Sequence, residues 1–295
     1  GAAYVVFGKE NGFANLDISD LNGTTGFTFT DSARGYDSLL AYIGAAVSLE
    51  GDVNGDGFDD LVVGAPGQNK DRNSAEGYGG EDDVIFGRSS FSGTSTIQAT
   101  SLNGSSSTGF VATGLVNQQA RTGSSVGSGG DVNGDGIDDL VIGAPGDGYG
   151  YGTAAGRAYV VFGKTNLGTG GTLDLESLTV SNGFVLNGGA AYDVAGTSVS
   201  INGDINGDGF DDLIIGASGS SAGESYVVFG KSGGFSSAVA LNALNGTTGF
   251  RLEGASAGDR SGVSVAAAGD VNSDGFADLI IGADEADPNV FFSHG

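Results

Sequence analysis

Residues Asp52-Val-Asn-Gly-Asp-Gly-Phe-Asp-Asp60 decide how this chain is read, because the stretch recurs. It returns as Asp131-Val-Asn-Gly-Asp-Gly-Ile-Asp-Asp139, as Asp204-Ile-Asn-Gly-Asp-Gly-Phe-Asp-Asp212 and as Asp270-Val-Asn-Ser-Asp-Gly-Phe-Ala-Asp278. The copies lie roughly 70 residues apart, a period that marks a repeat architecture. Each copy runs into an apolar segment: Leu61-Val-Val-Gly-Ala-Pro66, Leu140–Pro145, Leu213–Ser218 and Leu279–Asp284. A second motif ends in Phe-Gly, at Tyr4–Gly8, Val84–Gly87, Tyr159–Gly163 and Tyr226–Gly230, with a weak trace at Val290–Phe292. A third opens with Gly-Phe at Gly26, Gly109, Gly183 and Gly249. A fourth apolar run precedes each acidic stretch, at Ile43–Leu49, Gly123–Ser128, Gly196–Ile201 and Gly262–Ala267.

Each unit therefore holds four short β-type runs, and the i, i+3, i+4, i+7 periodicity of a helix is nowhere sustained. Four strands per unit is what a propeller blade requires. The expected fold is all-β, one β-propeller domain of four-stranded blades over residues 1–295. The glycines of Gly-Ala-Pro and Phe-Gly then mark places where neighbouring sheets leave no room for a side chain. The N-terminal runs, within residues 1–30, read as strands 3 and 4 of a blade. The chain's last runs read as strands 1 and 2. A ring that closes within the chain, with residues 1–30 completing the last blade, is the expected arrangement; a fragment of a larger ring is the alternative.

Composition narrows the function. The 36 Asp+Glu against 11 Lys+Arg give a formal net charge of -25, which excludes a surface that tracks nucleic acid or anionic lipid. Cys is absent and the single His is His294, so thiol chemistry, disulfides, thiolate zinc sites and a Ser/His/Asp triad are excluded. No apolar run is long enough to span a membrane. The chain starts at Gly1 without a signal-peptide pattern, and so reads as a processed product or a piece of something longer. Gly makes up 58 of 295 residues, far above average usage, and implies frequent turns rather than low complexity, since Pro numbers only 3.

The acidic nonapeptide has metal-loop chemistry. Positions 1, 3 and 5 are Asp, Asn and Asp in every copy, and position 9 is always Asp. Oxygen donors without His or Cys select a hard cation, and Ca²⁺ takes six to eight of them. Gly at position 6 supplies the tight turn, and position 7 offers a backbone carbonyl. The expected ligands are Asp52, Asn54, Asp56, Phe58 and Asp60 in the first loop and Asp131, Asn133, Asp135, Ile137 and Asp139 in the second. Asp204, Asn206, Asp208, Phe210 and Asp212 follow in the third, and Asp270, Asn272, Asp274, Phe276 and Asp278 in the fourth. Position 12 is Val63, Ile142, Ile215 or Ile281, so the closing Glu of a helix–loop–helix site is missing. Ala277 replaces the Asp of position 8 while Asp278 stays, which makes position 9 the ligand and position 8 not. Four Ca²⁺ sites between strands are expected.

The Phe-Gly and Gly-Ala-Pro elements around Asp-x-Asn-x-Asp-Gly-x-x-Asp resemble the FG-GAP repeats of the integrin α-subunit propeller and its bacterial relatives. The resemblance covers nearly the whole chain. It implies Ca²⁺ in the loop between strands 1 and 2, on one face of the disc, and ligand binding on the opposite face, formed by the 2–3 and 4–1 connections. The family's rings often have seven blades, whereas four calcium repeats are present here. Gly-Ala-Pro degrades to Gly-Ala-Ser and Gly-Ala-Asp in the last two copies.

Arg34, Tyr36, Tyr78, Arg121, Tyr149, Tyr151, Tyr192 and Arg260 fall in those connections, and Tyr and Arg are what binding hot spots use. They are the candidate ligand face, and the 2–3 connections also vary in length. Glu81-Asp82-Asp83 reads as a solvated patch closing the longest of them. Asn-x-Ser/Thr at Asn22, Asn103 and Asn245 precedes the Gly-Phe run each time and reads as turn chemistry. The expected function is an extracellular, secreted or cell-surface module that binds a protein or glycan ligand without inserting into a membrane. A self-assembling structural repeat is the second reading. A carboxylate enzyme acting on polysaccharide is the third, and no spacing singles out its acid pair.

Overall fold

The computed structural model describes residues 1–10, 12, 15–31, 42–67, 79–102, 108–115, 120–146, 154–201 and 203–287. The chain is all-β. It opens with β1 (Ala2–Val6) and β2 (Gly26–Thr30), an antiparallel pair in which Tyr4 faces Thr28. The next blade runs outward from the innermost strand as β3 (Ala46–Gly51), β4 (Asp60–Ala65) and β5 (Glu81–Ile85). The short β6 (Thr96–Gln98) and then β7 (Gly109–Thr113) follow. β8 (Ser125–Gly130), β9 (Asp139–Ala144), β10 (Arg157–Val161), β11 (Thr172–Asp174) and β12 (Gly183–Asn187) repeat the series. So do β13 (Ser198–Ile201), β14 (Leu213–Ala217), β15 (Glu224–Val228), β16 (Ala238–Ala240) and β17 (Gly249–Glu253). β18 (Ser261–Gly269) and β19 (Asp278–Ala283) close the described chain.

Three complete blades, β3-β4-β5-β7, β8-β9-β10-β12 and β13-β14-β15-β17, are each antiparallel throughout. They stand between two half-blades, β1-β2 and β18-β19. This is a β-propeller architecture, as expected. Among the described residues no ladder joins β1 to β19, so closure of the ring stays an expectation. No helix among the described residues is long and apolar enough to cross a membrane.

The three short strands were not expected. The link between strands 3 and 4 of each blade reaches back and adds a parallel strand to the outer edge of the blade before it: β6 on β2, β11 on β7, β16 on β12. Each then turns through one 3-10 turn, Ala99–Ser101, Leu175–Ser177 or Leu241–Ala243. An outer edge would otherwise leave a row of N–H and C=O groups open to another chain.

The core lies between blades. In the three complete blades strands 2 and 3 are almost wholly buried and, apart from Glu81-Asp82-Asp83, mostly apolar, because both faces of each sheet meet a neighbour. Phe110, Val84 and Val62 of one blade pack on Leu140, Ile142 and Tyr159 of the next. Phe184 and Val160 likewise pack on Ile215, Leu213 and Tyr226. The glycine of Gly-Ala is the closest point. A Cβ on Gly64, Gly143 or Gly216 would stand 2.1, 2.2 or 2.0 Å from the carbonyl oxygen of Gly123, Gly196 or Gly262 on the following blade. Asn22 and Asn245 do turn chemistry, accepting N–H bonds from Thr24 and Thr247, both at 2.9 Å.

One expectation fails. Glu81, Asp82 and Asp83 are buried in β5, not solvated, because strand register overrides the cost of their charge. They occupy the places that Arg157-Ala-Tyr159 and Glu224-Ser-Tyr226 fill in the next two blades. Among the described residues neither carboxyl oxygen of Asp82 has a hydrogen-bond partner, and burial, with Asp83 beside it, holds the group well above the usual carboxylate range.

The glycine contacts give a direct test. Gly143→Ala should destabilise by at least about 2 kcal/mol in urea unfolding, since backbone must move. Gly282→Ala, whose Cβ would meet nothing closer than Ser264 at 3.4 Å, should stay within about 0.5 kcal/mol.

Candidate functional site

The four acidic stretches form the loops between strands 1 and 2, all on one side of the blades. Their shape comes from carboxylates accepting backbone N–H bonds. Asp131 takes those of Gly134, Asp135 and Gly136 at 2.7, 3.1 and 2.8 Å, and Asp204 repeats the pattern with Gly207, Asp208 and Gly209. Asp52 and Asp270 hold positions 5 and 6. Position 5 then accepts from position 7: Asp56 from Phe58, Asp135 from Ile137, Asp208 from Phe210 and Asp274 from Phe276, at 3.0 to 3.1 Å. Gly57, Gly136, Gly209 and Gly275 have φ of 90, 84, 90 and 92°, the left-handed turn that glycine takes without cost.

Position 9 is the anchor. One oxygen of Asp60, Asp139 and Asp212 accepts the N–H of Val53, Val132 and Ile205 at 2.9 to 3.0 Å. The other accepts the N–H of the Phe-Gly glycine, Gly87, Gly163 or Gly230, at 2.8, 2.9 and 2.9 Å. All three carboxyls are buried. Burial pushes them up to about 7, about 8 and about 6, and the carboxylates at positions 1 and 5 of the same loop push the same way. Asp278 keeps the bond from Val271 at 2.8 Å.

Position 8 has a task that the sequence reading did not find. The Asp138 carboxylate accepts the N–H of Asp52 in the preceding loop at 2.9 Å, and Asp211 accepts that of Asp131 at 2.9 Å. Lys164 and Lys231 donate their N–H groups to the carbonyls of Val53 and Val132, and the rings of Phe210 and Phe276 lie over Gly134 and Gly207. Each loop is thus stitched to its neighbour. Ala277 lacks the side chain for the third stitch and keeps only its N–H bond to the Asp204 carbonyl, at 3.0 Å.

The FG-GAP repeat family matches residues 44–81, 122–161, 195–228 and 261–293, each span holding one of these loops. The chain carries four FG-GAP repeats. It is also similar to integrin alpha-PS5 of Drosophila melanogaster, 31% identical over 157 residues, which is 53% of this chain and 14% of that protein. The chain therefore spans a small part of the relative's length.

The FG-GAP loops supply hard oxygen donors alone, and in the first three the position 1 and 5 carboxylates add to the burial that raises the proton affinity of position 9. That donor chemistry fits a divalent cation such as Ca²⁺. Among the described residues no three acids are already set around one point, since positions 1 and 5 are turned onto backbone N–H groups. Oδ1 of Asp131 and Oδ1 of Asp204 each accept two of these N–H bonds, whereas Oδ2 of both accepts one and keeps a second lone pair.

Of the candidate ligand face, Arg121, Tyr192 and Arg260 are described; Arg34, Tyr36, Tyr78, Tyr149 and Tyr151 lie outside the described residues. Arg121 and Arg260 precede strand 1 of their blades, at the end opposite the acidic loops, and Tyr192 lies in the connection leading to β13. Arg121 and Tyr192 are exposed, and Arg260 pairs with Asp284 and Glu285 at 3.3 and 3.1 Å. Tyr42, Arg121, Val194 and Arg260 are structural equivalents with φ of 54, 56, 49 and 56°. Each turns the chain through a bond to its carbonyl from the residue three ahead. Tyr42 was missed because no shared side chain marks the position; its place two residues before Gly44, as Arg121 is before Gly123, was the available signal.

Two outcomes follow from the loops. Asp138→Ala removes a stitch and should cost about 1–2 kcal/mol. Asp59→Ala should be nearly silent, because Asp59 has no preceding loop to hold among the described residues. Without metal, Asp60, Asp139 and Asp212 bind protons more tightly folded than unfolded, so the stability they contribute is fully present below about pH 4 and is lost as pH rises through about 6 to 8. Urea midpoints of the chelator-treated protein should be higher at pH 5 than at pH 8; an equal or inverted pair would refute the burial argument.

Proposed function

We propose that the chain is a calcium-stiffened FG-GAP propeller that binds a protein or glycan ligand outside the cell, at the secreted or cell-surface location where calcium is plentiful. The observation that carries this reading is the stitched row of near-identical acidic loops on one side, set against connections on the other side that differ from blade to blade. A uniform face suits a shared structural task, and a varied face suits recognition. The named relative, an integrin alpha chain, favours an adhesion or protein-interaction role. A non-enzymatic module fits best, since FG-GAP repeats and an integrin alpha chain are what the sequence matches.

Calcium would be held by the position 1, 3, 5 and 9 side chains and the position 7 carbonyl of each loop. It would supply positive charge among carboxylates that otherwise repel one another. At free Ca²⁺ about ten times Kd each site adds about 1.4 kcal/mol, so four sites add about 5–6 kcal/mol. Thermal melts should rise on adding Ca²⁺ and fall on chelation; superimposed melts would refute the reading.

For the recognition face, the protein should be screened on glycan and protein arrays beside an Arg121→Ala/Tyr192→Ala variant and a Phe58→Ala variant. The double change should weaken capture about tenfold or more, with Phe58→Ala near wild type. Loss of capture only in Phe58→Ala would put the ligand on the loop side.

A further inference from the structure

Between the first two complete blades lies a polar cell that the neighbouring junctions fill with hydrocarbon. Asp82 pairs in the ladders with Gly64 on one side and Ala112 on the other, so no large side chain flanks it within its own sheet. Its Oδ1 faces the following blade, 2.7 Å from where a Cβ on Gly123 would stand. Thr122, the residue before that glycine, bridges to Gly80, two residues before Asp82. The Thr122 Oγ1 lies 2.2 Å from where a Cβ on Gly114, two residues past Ala112, would stand. Carboxyl and hydroxyl thus enter one cell from opposite blades.

The repeat supplies the comparison. At the next junction Ala158, Leu186 and Ala195 hold the places of Asp82, Ala112 and Thr122, and the matching bridge joins Gly156 to Ala195. Those three are buried in one apolar cluster. At the junction before, Ala3, Phe29 and Ile43 hold the same places, again within one apolar cluster. Asp82, Ala112 and Thr122 are 0% exposed, as deeply buried as any of these. Two of the three places are polar here, and the third carries alanine where its counterparts carry leucine and phenylalanine.

Neither carboxyl oxygen of Asp82, nor Oγ1 of Thr122, has a hydrogen-bond partner among the described residues. Left so, both groups cost free energy, the carboxyl most of all when ionised. Asp83 pairs with Val63 and Val111 on the opposite face of the sheet, so it brings no second carboxylate to the cell. Arg121, beside Thr122, is exposed and forms no ion pair with Asp82.

We propose that Asp82 and Thr122 hold a monovalent metal cation, sodium, between the two blades. The donors are oxygen alone, which selects a hard cation. One carboxylate calls for one positive charge, since a divalent ion would leave net charge in an apolar junction. The Glu81 carbonyl oxygen lies 2.8 Å from the same Cβ position on Gly123, and a carbonyl keeps a second lone pair beyond its ladder bond. Walls of glycine and alanine let the backbone close around a small ion, which favours sodium over potassium. The acidic loops lie at the other end of these strands, so the site stands whether or not they bind calcium. The ion would tie blade to blade at the one junction where the packing of its neighbours is replaced.

Melting temperatures in sodium, potassium and choline chloride of equal ionic strength test the site, both with calcium and with calcium chelated. At free Na⁺ about ten times Kd, wild type should melt about 2–4 °C higher in sodium than in choline, with potassium between. Asp82→Ala, which copies Ala3 and Ala158, should fold and lose the difference between sodium and choline. Thr122→Ala, which copies Ala195, should shrink it. The sodium NMR line should be broader with wild type than with Asp82→Ala. Superimposed wild-type melts, the result if Asp82 merely keeps a proton, would overturn the proposal. So would a sodium shift that survives Asp82→Ala, potassium as effective as sodium, or equal linewidths for the two proteins.

Discussion

A buried carboxylate that accepts two backbone N–H bonds is the constraint on which each blade depends. Asp60, Asp139 and Asp212 sit where an unpaired charge would be prohibitive. Each is tolerated because one oxygen holds the start of the acidic loop and the other holds the glycine of Phe-Gly. Three motifs far apart in the repeat are thereby fixed to one point. The Phe-Gly glycine lies against the carbonyl of the residue before that Asp, Asp59, Asp138 or Asp211, at distances no Cβ survives. This explains why the acidic nonapeptide and Phe-Gly travel together in the sequence.

Cohesion between blades comes from the same neighbourhood. With no disulfides, the blades depend on aromatic and aliphatic packing, on glycine contacts and on carboxylates that cross from one loop to the next. The stitches place charge near charge, since Asp138 and Asp52 belong to adjoining acidic loops and burial raises the Asp138 carboxyl. A metal-free chain therefore carries electrostatic tension along one whole side, spread over several repeats.

Much of this was legible in the sequence. The strand order, the loop positions, the tight glycines and the Asn turns all follow from motifs whose partners lie nearby in the chain. What escaped depends on partners in other repeats. β6, β11 and β16 are three residues long and pair with the previous blade, so no local alternation announces them. Ala277 showed that position 8 is not needed within its own loop, yet the group that Asp138 serves is Asp52, a full repeat away. Glu81-Asp82-Asp83 read as solvent-facing because acids usually are, and the ladder between β4 and β7 decided otherwise. The left-handed residues Tyr42, Arg121, Val194 and Arg260 share a backbone shape and no side-chain type.

The backward-reaching cover strands bear on how the chain is made. β7 ends at Thr113, and its cover β11 begins only at Thr172. At a synthesis rate of about 5–20 residues per second, the outer edge of each newly formed blade waits several seconds for the ribosome to deliver its cover. During that interval the nascent chain displays a β-edge that a neighbouring polysome could capture. Folding of this repeat array is thus timed by translation, with each blade finished by the one that follows it.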